Sequence, residues 1–360
     1  MRTRSGEVPG SRGSAEAATP FISVVVTAYH RMDFLLEAVR SVLVQDLERS
    51  SFEVIVLKDF VRPDIEAELA RSSPPIRAYT EELGTMGEMI ARGIDLARGE
   101  VVCFLEDDDR FLPGKLRGLS DLFHGTPELG FVRNSYRGID ARGRSLASWD
   151  RDRPQTQSSV ILSDRSPPRA SVAFVYQSGA HVNLSTMAIR TDLARPWTSY
   201  LRQLAAVPDL FLFELAAISG RPIRVESSAW TEYRVHQSTS HAALDGGSEA
   251  KALAETYRSY AAALVMEGVL RRAPGHEMAS RFVVGFVREQ RVTLYLLDPD
   301  ASLTPAGWMG FVRTIAWRRQ RYLVFIAMFA AFRRVSPKRS IAAYRNWRFK
   351  ALRRSAEPNQ

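Results

Sequence analysis

Four acids stand side by side at Glu106, Asp107, Asp108 and Asp109, directly after the apolar run VVCFL (101–105). Adjacent carboxylates repel one another and are costly at a strand end unless a cation sits among them. Mg2+ and Mn2+ take oxygen ligands. Mg2+ is typically held by one or two carboxylates, with water and substrate phosphates completing its shell. Asp107, Asp108 and Asp109 can supply such a site. The run also reads as a solvated acidic turn in which Asp109 caps the next helix.

The elements around the acids set where they sit. Strands are expected over FISVVVTAY (21–29), FEVIVLKDF (52–60), a weaker IRAYTEE (76–82) and EVVCFLEDDD (100–109). Between them the apolar spacing predicts helices over 32–46, capped by Asp33, over 62–73, ended by Pro74 and Pro75, and over 85–99, stopped by Gly99. Strands alternating with helices argue for a parallel α/β sheet covered on both faces. Thr27 to Arg31, Lys58 to Phe60 and Glu106 to Asp109 then all follow C-terminal strand ends, where open α/β sheets bind ligands. The acids are expected to meet Asp59 and the Tyr29 region across one cleft.

Further along, FVRNSY (131–136) precedes a long segment rich in Arg, Ser, Asp and Pro (138–170). SVAFVYQ (171–177) and HVNLSTMAI (181–189) alternate like strands of a mixed sheet. A helix closed by Gly220 is expected over 208–220, a pair of strands over 222–236, and helices from 250 to 360.

Taken in order, SVVVTAYHRMDFLLEAVRSVLVQD, FEVIVLKDF, GIDLARGEVVCFLEDDDRFLPGKL and YRVHQSTS resemble inverting glycosyltransferase family 2, over residues 21–240. The resemblance implies the GT-A fold, a Rossmann-like mixed α/β sheet with helices on both faces. It implies transfer of a sugar from a nucleotide-diphosphate donor (a UDP-, GDP- or dTDP-sugar) to a hydroxyl acceptor such as a glycan or glycolipid, with Mn2+ or Mg2+. Under it Asp107, Asp108, Asp109 and His236 are metal ligands. Thr27, Ala28, Tyr29, Arg31, Asp59, Asp107 and Arg234 face the nucleotide-sugar, and Asp209 is the catalytic base. Pro113, Lys115 and Leu116 complete the pattern behind the acids.

Each role has a plainer counterpart. Asp209 also reads as a cap following Pro208, His236 as a core or surface histidine, Arg234 as the partner of a nearby carboxylate, and Tyr29 as packing. The chain departs from the family pattern at several points. Lys58-Asp59 stands where two acids are usual, and Glu106 replaces the first Asp. Met89-Ile90-Ala91 lacks the usual Ala-Arg-Asn, and Pro208 stands where Glu often precedes the base. A non-catalytic nucleotide-sugar-binding or scaffold protein of the same fold is the alternative. A nucleotidyltransferase also gathers carboxylates around a metal, but YRVHQSTS and the lack of a glycine-rich phosphate loop argue against it.

The composition bounds the rest. The 360 residues are 45% hydrophobic and 25% charged, as in ordinary folded proteins. The single cysteine, Cys103, excludes a disulfide framework and fits a reducing, cytoplasmic setting. Residues 1–20 read as a disordered leader, 21–240 as the GT-A domain and 241–360 as a helical basic region. The net charge of +9 is uneven: residues 301–360 carry +12 and the remainder −3. Within 317–354 an eleven-residue apolar run, Tyr322 to Phe332, lies between arginine clusters. It is too short to span a bilayer. It suits either a helix lying on an anionic membrane, peripheral at the inner face of the plasma membrane, or a core helix with a solvated basic face. Nucleic acid is not expected, since no recognised motif accompanies the charge.

Overall fold

The computed structural model describes residues 19–29, 31–72, 76–147, 156, 158–163, 165–236, 249–273, 276–318 and 320–356. Most of the expected leader, the Pro74-Pro75 stop, parts of the 138–170 segment and Gln237 to Ser240 of YRVHQSTS lie outside these residues.

Nine strands form one mixed sheet among the described residues. They are β1 (Ile22–Ala28), β2 (Phe52–Lys58), β3 (Arg77–Thr80), β4 (Val101–Glu106), β5 (Arg110–Phe111), β6 (Phe131–Ile139), β7 (Val160–Leu162), β8 (Met187–Arg190) and β9 (Ile223–Arg234). Their order is β3-β2-β1-β4-β8-β6-β9-β5, with β7 beside β9. β3, β2, β1 and β4 run parallel, and β8 is antiparallel to β4. The longer helices are α1 (Leu35–Leu43), α2 (Pro63–Ala70), α3 (Met86–Leu96), α4 (Lys115–Gly125), α5 (Pro168–Ser178), α6 (Pro208–Ile218), α7 (Glu249–Arg272), α8 (Glu277–Leu297), α9 (Pro305–Arg318), α10 (Arg321–Val335) and α11 (Pro337–Ala356).

The central strands are apolar throughout because both faces are covered. Alternate residues enter two cores. Val25, Ile55, Leu57, Val102 and Phe104 pack with α3 and α6. Val24, Val26, Val54, Val56, Cys103 and Leu105 pack with α1 and α4. Cys103 is fully buried, and burial pushes its thiol up to about 12, so it is an inert part of the wall. The first core does not stop at the sheet. Ala262 and Met266 of α7 and Phe282 and Phe286 of α8 belong to it, with the Phe282 ring 5.0 Å from Phe213. A third core gathers Val292, Leu296, Phe311, Leu323, Ile326 and Tyr344 from α8 to α11.

Several local expectations give way to other geometry. Residues 168–178 are helix rather than strand. Val172, Val175 and Tyr176 are buried at helical spacing, and Gly179 ends the helix at φ 63°. The next expected strand is confined to β8, because Asn183 adopts φ 74° and a short turn at Leu184–Thr186 intervenes. The expected strand pair at 222–236 is the single strand β9, whose register against β6 shifts between Asn134 and Tyr136. The polar Ser227-Ser228 falls in that irregularity. Helix α1 starts with Phe34 at its cap and no side-chain cap, so Asp33 does not play that part.

Helix α3 approaches the single turn Thr198–Leu201 so closely that a Cβ on Gly87 would lie 2.3 Å from the Leu201 carbonyl oxygen and 2.4 Å from that of Leu204. Backbone cannot rotate away as a side chain can. Gly87→Ala is expected to cost about 3 kcal/mol, read as a lower urea midpoint; an unchanged midpoint would refute this packing.

Candidate active site

Parallel register brings the first strand ends together: Thr27 lies beside Glu106, and Ala28 beside Lys58. The Asp107 N–H donates to the Thr27 carbonyl at 3.0 Å, which fixes the acidic turn against β1. The turn is not solvated. Asp107 and Asp109 are each 1% exposed, and α4 begins after Gly114, so Asp109 caps no helix.

The four acids have separate environments. Arg31 bridges two of them, with Nη2 2.8 Å from Asp107 Oδ1 and Nη1 2.6 Å from Asp108 Oδ2. His236 Nε2 stands 3.0 Å from the same Asp108 oxygen. Asp109 Oδ1 accepts the backbone N–H of Arg234 at 2.9 Å. The Glu106 N–H donates to Ser185 Oγ at 3.0 Å.

Protonation follows these surroundings. Burial, with repulsion from Asp108, Asp109 and Asp209, raises Glu106 well above the carboxylate range. Burial and the charge of Asp108 do the same to Asp109. Burial lifts Asp107 to about 7 against the pull of Arg31. For Asp108, burial also works against the charge, but His236 and Arg31 outweigh it and hold the group below its ordinary value. Arg31 offsets part of the repulsion, and Asp108 is the one acid of the four whose charged form its neighbours favour overall.

Asp107, Asp108, Asp109 and His236 do not converge as one ligand set. Among the described residues no cluster of three or more His, Cys, Asp and Glu is gathered for a metal. Asp108 and His236 alone fit a smaller role. Two ligands on adjacent octahedral positions, each about 2.1 Å from a Mg2+-sized ion, lie about 3 Å apart. That matches Asp108 Oδ2 and His236 Nε2. Asp107 Oδ2 and Thr27 Oγ1 are also buried beside the turn, without a partner among the described residues.

Arg234 is built into the protein rather than open to a ligand. Its Nε donates to the Asp108 carbonyl at 2.7 Å, Nη1 to those of Asp140 and Ala141, and Nη2 to Glu37 at 2.7 Å. It lies 4.4 Å over the Phe34 ring, which also neighbours His236. Expected at the nucleotide-sugar, Arg234 at the end of β9 is instead a strut between α1, the acidic turn and the stretch after β6. Tyr29 donates its hydroxyl to the Gly84 carbonyl at 2.8 Å, bridging to the loop before α3. Asp59 follows the end of β2 and is half-buried. Lys58 is buried at that edge, its Nζ 2.6 Å from Glu66 and donating to the Phe60 carbonyl at 3.1 Å.

Asp209 sits in the first turn of α6. Its Oδ1 accepts the Leu210 N–H at 2.9 Å and Oδ2 the Asn183 N–H at 3.0 Å. Burial pushes it up to about 6, even though these N–H groups favour the charged form. The left-handed Asn183 turns its N–H to the acid, and both its amide atoms are buried without partners among the described residues. The Leu184–Thr186 turn carries Ser185, which reaches the acidic turn, so one short segment joins Asp209 to Glu106. Lys115 pins that segment from behind. Its Nζ donates to the Ser185 carbonyl at 2.6 Å and to Thr231 at 3.0 Å. Asn183, Ser185 and Glu37 carry no signal in the sequence, since no local pattern marks a residue whose task is to join distant segments.

Residues 23–182 match the model for glycosyl transferase family 2. An uncharacterized glycosyltransferase of Rickettsia bellii is 32% identical over 129 residues, 35% of this chain and 18% of that protein. The matched stretch spans about a fifth of the Rickettsia relatives. Residues 1–349 of TarS from S. aureus, in complex with UDP-GlcNAc, superpose with a TM-score of 0.56 at 14% identity, covering 90% of this chain and 89% of that one. The mannosyltransferase PcManGT from Pyrobaculum calidifontis, in complex with GDP-Man and Mn2+, does so at 0.52 and 15%, covering 94% and 86%. At such identities the likeness concerns the fold, which is GT-A with a helical C-terminal region.

Proposed function

We propose that this chain, whose residues 23–182 match the model for glycosyl transferase family 2, moves a sugar from a nucleotide-diphosphate sugar to a hydroxyl acceptor, with inversion and with a divalent metal. One observation carries the reading. Asp209 and the Asp108–His236 pair share one edge, joined through Asn183 and Ser185, and Asp209 is near enough to raise Glu106 electrostatically.

The reaction is a single displacement. The acceptor oxygen attacks the anomeric carbon as its proton passes to Asp209. The bond from that carbon to the diphosphate oxygen breaks, and the nucleoside diphosphate leaves with the electron pair. Attack from the opposite side inverts the centre, by the logic of inverting glycosidases. Arg31 is suited to hold the diphosphate, because a guanidinium is a planar, always-charged phosphate partner. A divalent ion bound by Asp108 and His236 would supply positive charge against the leaving group. Arg234 and Lys115 hold those groups in place.

TarS with UDP-GlcNAc and PcManGT with GDP-Man and Mn2+ support a nucleotide-sugar as donor. A thermal-shift screen of UDP-, GDP- and dTDP-sugars tests this. One nucleotude class is expected to raise the midpoint by several degrees, about 4 °C at a hundredfold excess over Kd, and to do so with Mn2+ but not with EDTA. No shift with any donor would overturn the proposal.

A further inference from the structure

Helix α10 has two apolar faces, and the protein covers one of them. Leu323, Ile326 and Ala330 point into the third core at 0–3% exposure. On the other face Val324, Phe325, Met328, Phe332 and Val335 are 43–83% exposed. Their spacing makes a stripe about 17 Å long on the helix surface. Exposed Arg321 and Arg334 stand at its two ends, and exposed Lys338 and Arg339 follow in the first turn of α11. Arg333 faces inward, donating to the Pro299 carbonyl at 2.8 Å.

We infer that this outward face of α10, with its rim of Arg321, Arg334, Lys338 and Arg339, docks on the surface of an anionic lipid bilayer. The chemistry favours that occupant over others. A second copy of the chain would bring two regions of +12 together across an apolar contact. Nucleic acid would meet the charges but not the row of Val, Met and Phe. A bilayer interface takes both, with apolar side chains at the acyl boundary and cations at the headgroups. The helix lies on the surface rather than across it. Fifteen residues span about 22 Å against a hydrocarbon core of about 30 Å, and among the described residues no helix is long and apolar enough to cross a membrane.

The test is co-sedimentation of the full chain with vesicles of phosphatidylcholine alone or mixed with phosphatidylglycerol. Binding to the anionic vesicles is expected to be at least about tenfold tighter, and to weaken as salt rises. Val324→Gln/Met328→Gln/Phe332→Gln changes exposed positions only, so its unfolding midpoint should match the wild type while vesicle affinity falls at least about tenfold. Lys338→Glu/Arg339→Glu should lose the preference for anionic vesicles independently. Equal binding to both vesicle types, or unchanged binding by the triple variant, would overturn the inference. So would a dimer in sedimentation velocity that the triple variant splits, with no vesicle binding by either. Donor binding is unaffected in every case, so failure here is separable from failure of the proposed activity.

Discussion

Asp209→Asn is expected to lower kcat by about a thousandfold or more while changing nucleotide affinity by less than about threefold, since general-base removal costs about 10²–10⁴. Asparagine has the same shape but cannot accept the acceptor's proton. It keeps one oxygen for either the Asn183 or the Leu210 N–H, so the turn and α6 should persist. The pH profile gives a second reading. The base must be ionised to work, and burial holds Asp209 at about 6. Turnover should therefore fall as pH drops through 6, about tenfold per unit below it, and the residual rate of the variant should lack that limb. The stability sign is distinct. The folded-state value lies above the ordinary aspartate value of 3.8, so between these values the folded chain binds more protons than the unfolded one. Stability contributed by this group is present at low pH and is lost as pH rises through 6. At neutral pH the ionised acid is a cost, so the Asn variant should unfold at the same midpoint or higher. Unchanged turnover in the variant would remove Asp209 from the mechanism. Donor binding by the wild type with neither transfer nor hydrolysis would favour the non-catalytic alternative instead.

The half of the molecule built from β1, β2 and β4 was readable because burial on both faces leaves an unbroken apolar run and the acids mark where it ends. The split of each strand between two cores follows from the period-2 geometry alone. Residues 168–178 misled for a physical reason. Val172, Val175 and Tyr176 are β-formers by propensity, but they pack at helical spacing against α8, and that long-range contact decides the element. The acidic run announced a cation without saying how its members divide. Their roles depend on Arg31, Ser185 and the Arg234–His236 end of β9, which arrive from three other places in the chain. The basic tail was likewise ambiguous between core and surface helix. Helix α10 is inward-packed on one side and apolar outward on the other, which no strip of eleven apolar residues can reveal.

Asp108→Ala should abolish the gain in nucleotide affinity that Mn2+ gives, a loss of about a hundredfold in the presence of metal and little change in EDTA. Asp108 is the one acid of the four held below its ordinary value, so it is already charged when a cation arrives. Burial raises its neighbours instead, and Asp109 is also tied to the Arg234 backbone. Removing Asp108 leaves His236 as a lone ligand and takes one of two carboxylates from Arg31. Asp107 still holds Arg31, so the acidic turn should survive. Even partners that only orient a ligand are worth about 10–100-fold in metal affinity, so losing the ligand itself lies at the upper end. Asp109→Asn supplies the contrast. It keeps an oxygen for the Arg234 N–H and sits away from His236, so the Mn2+ effect should persist there. A titration of nucleotide into each variant, with Mn2+ and with EDTA, separates the two. If Asp108→Ala retains the full metal effect while Asp109→Asn loses it, the ion belongs to Asp109, and the 3.0 Å approach of His236 to Asp108 is only a hydrogen bond.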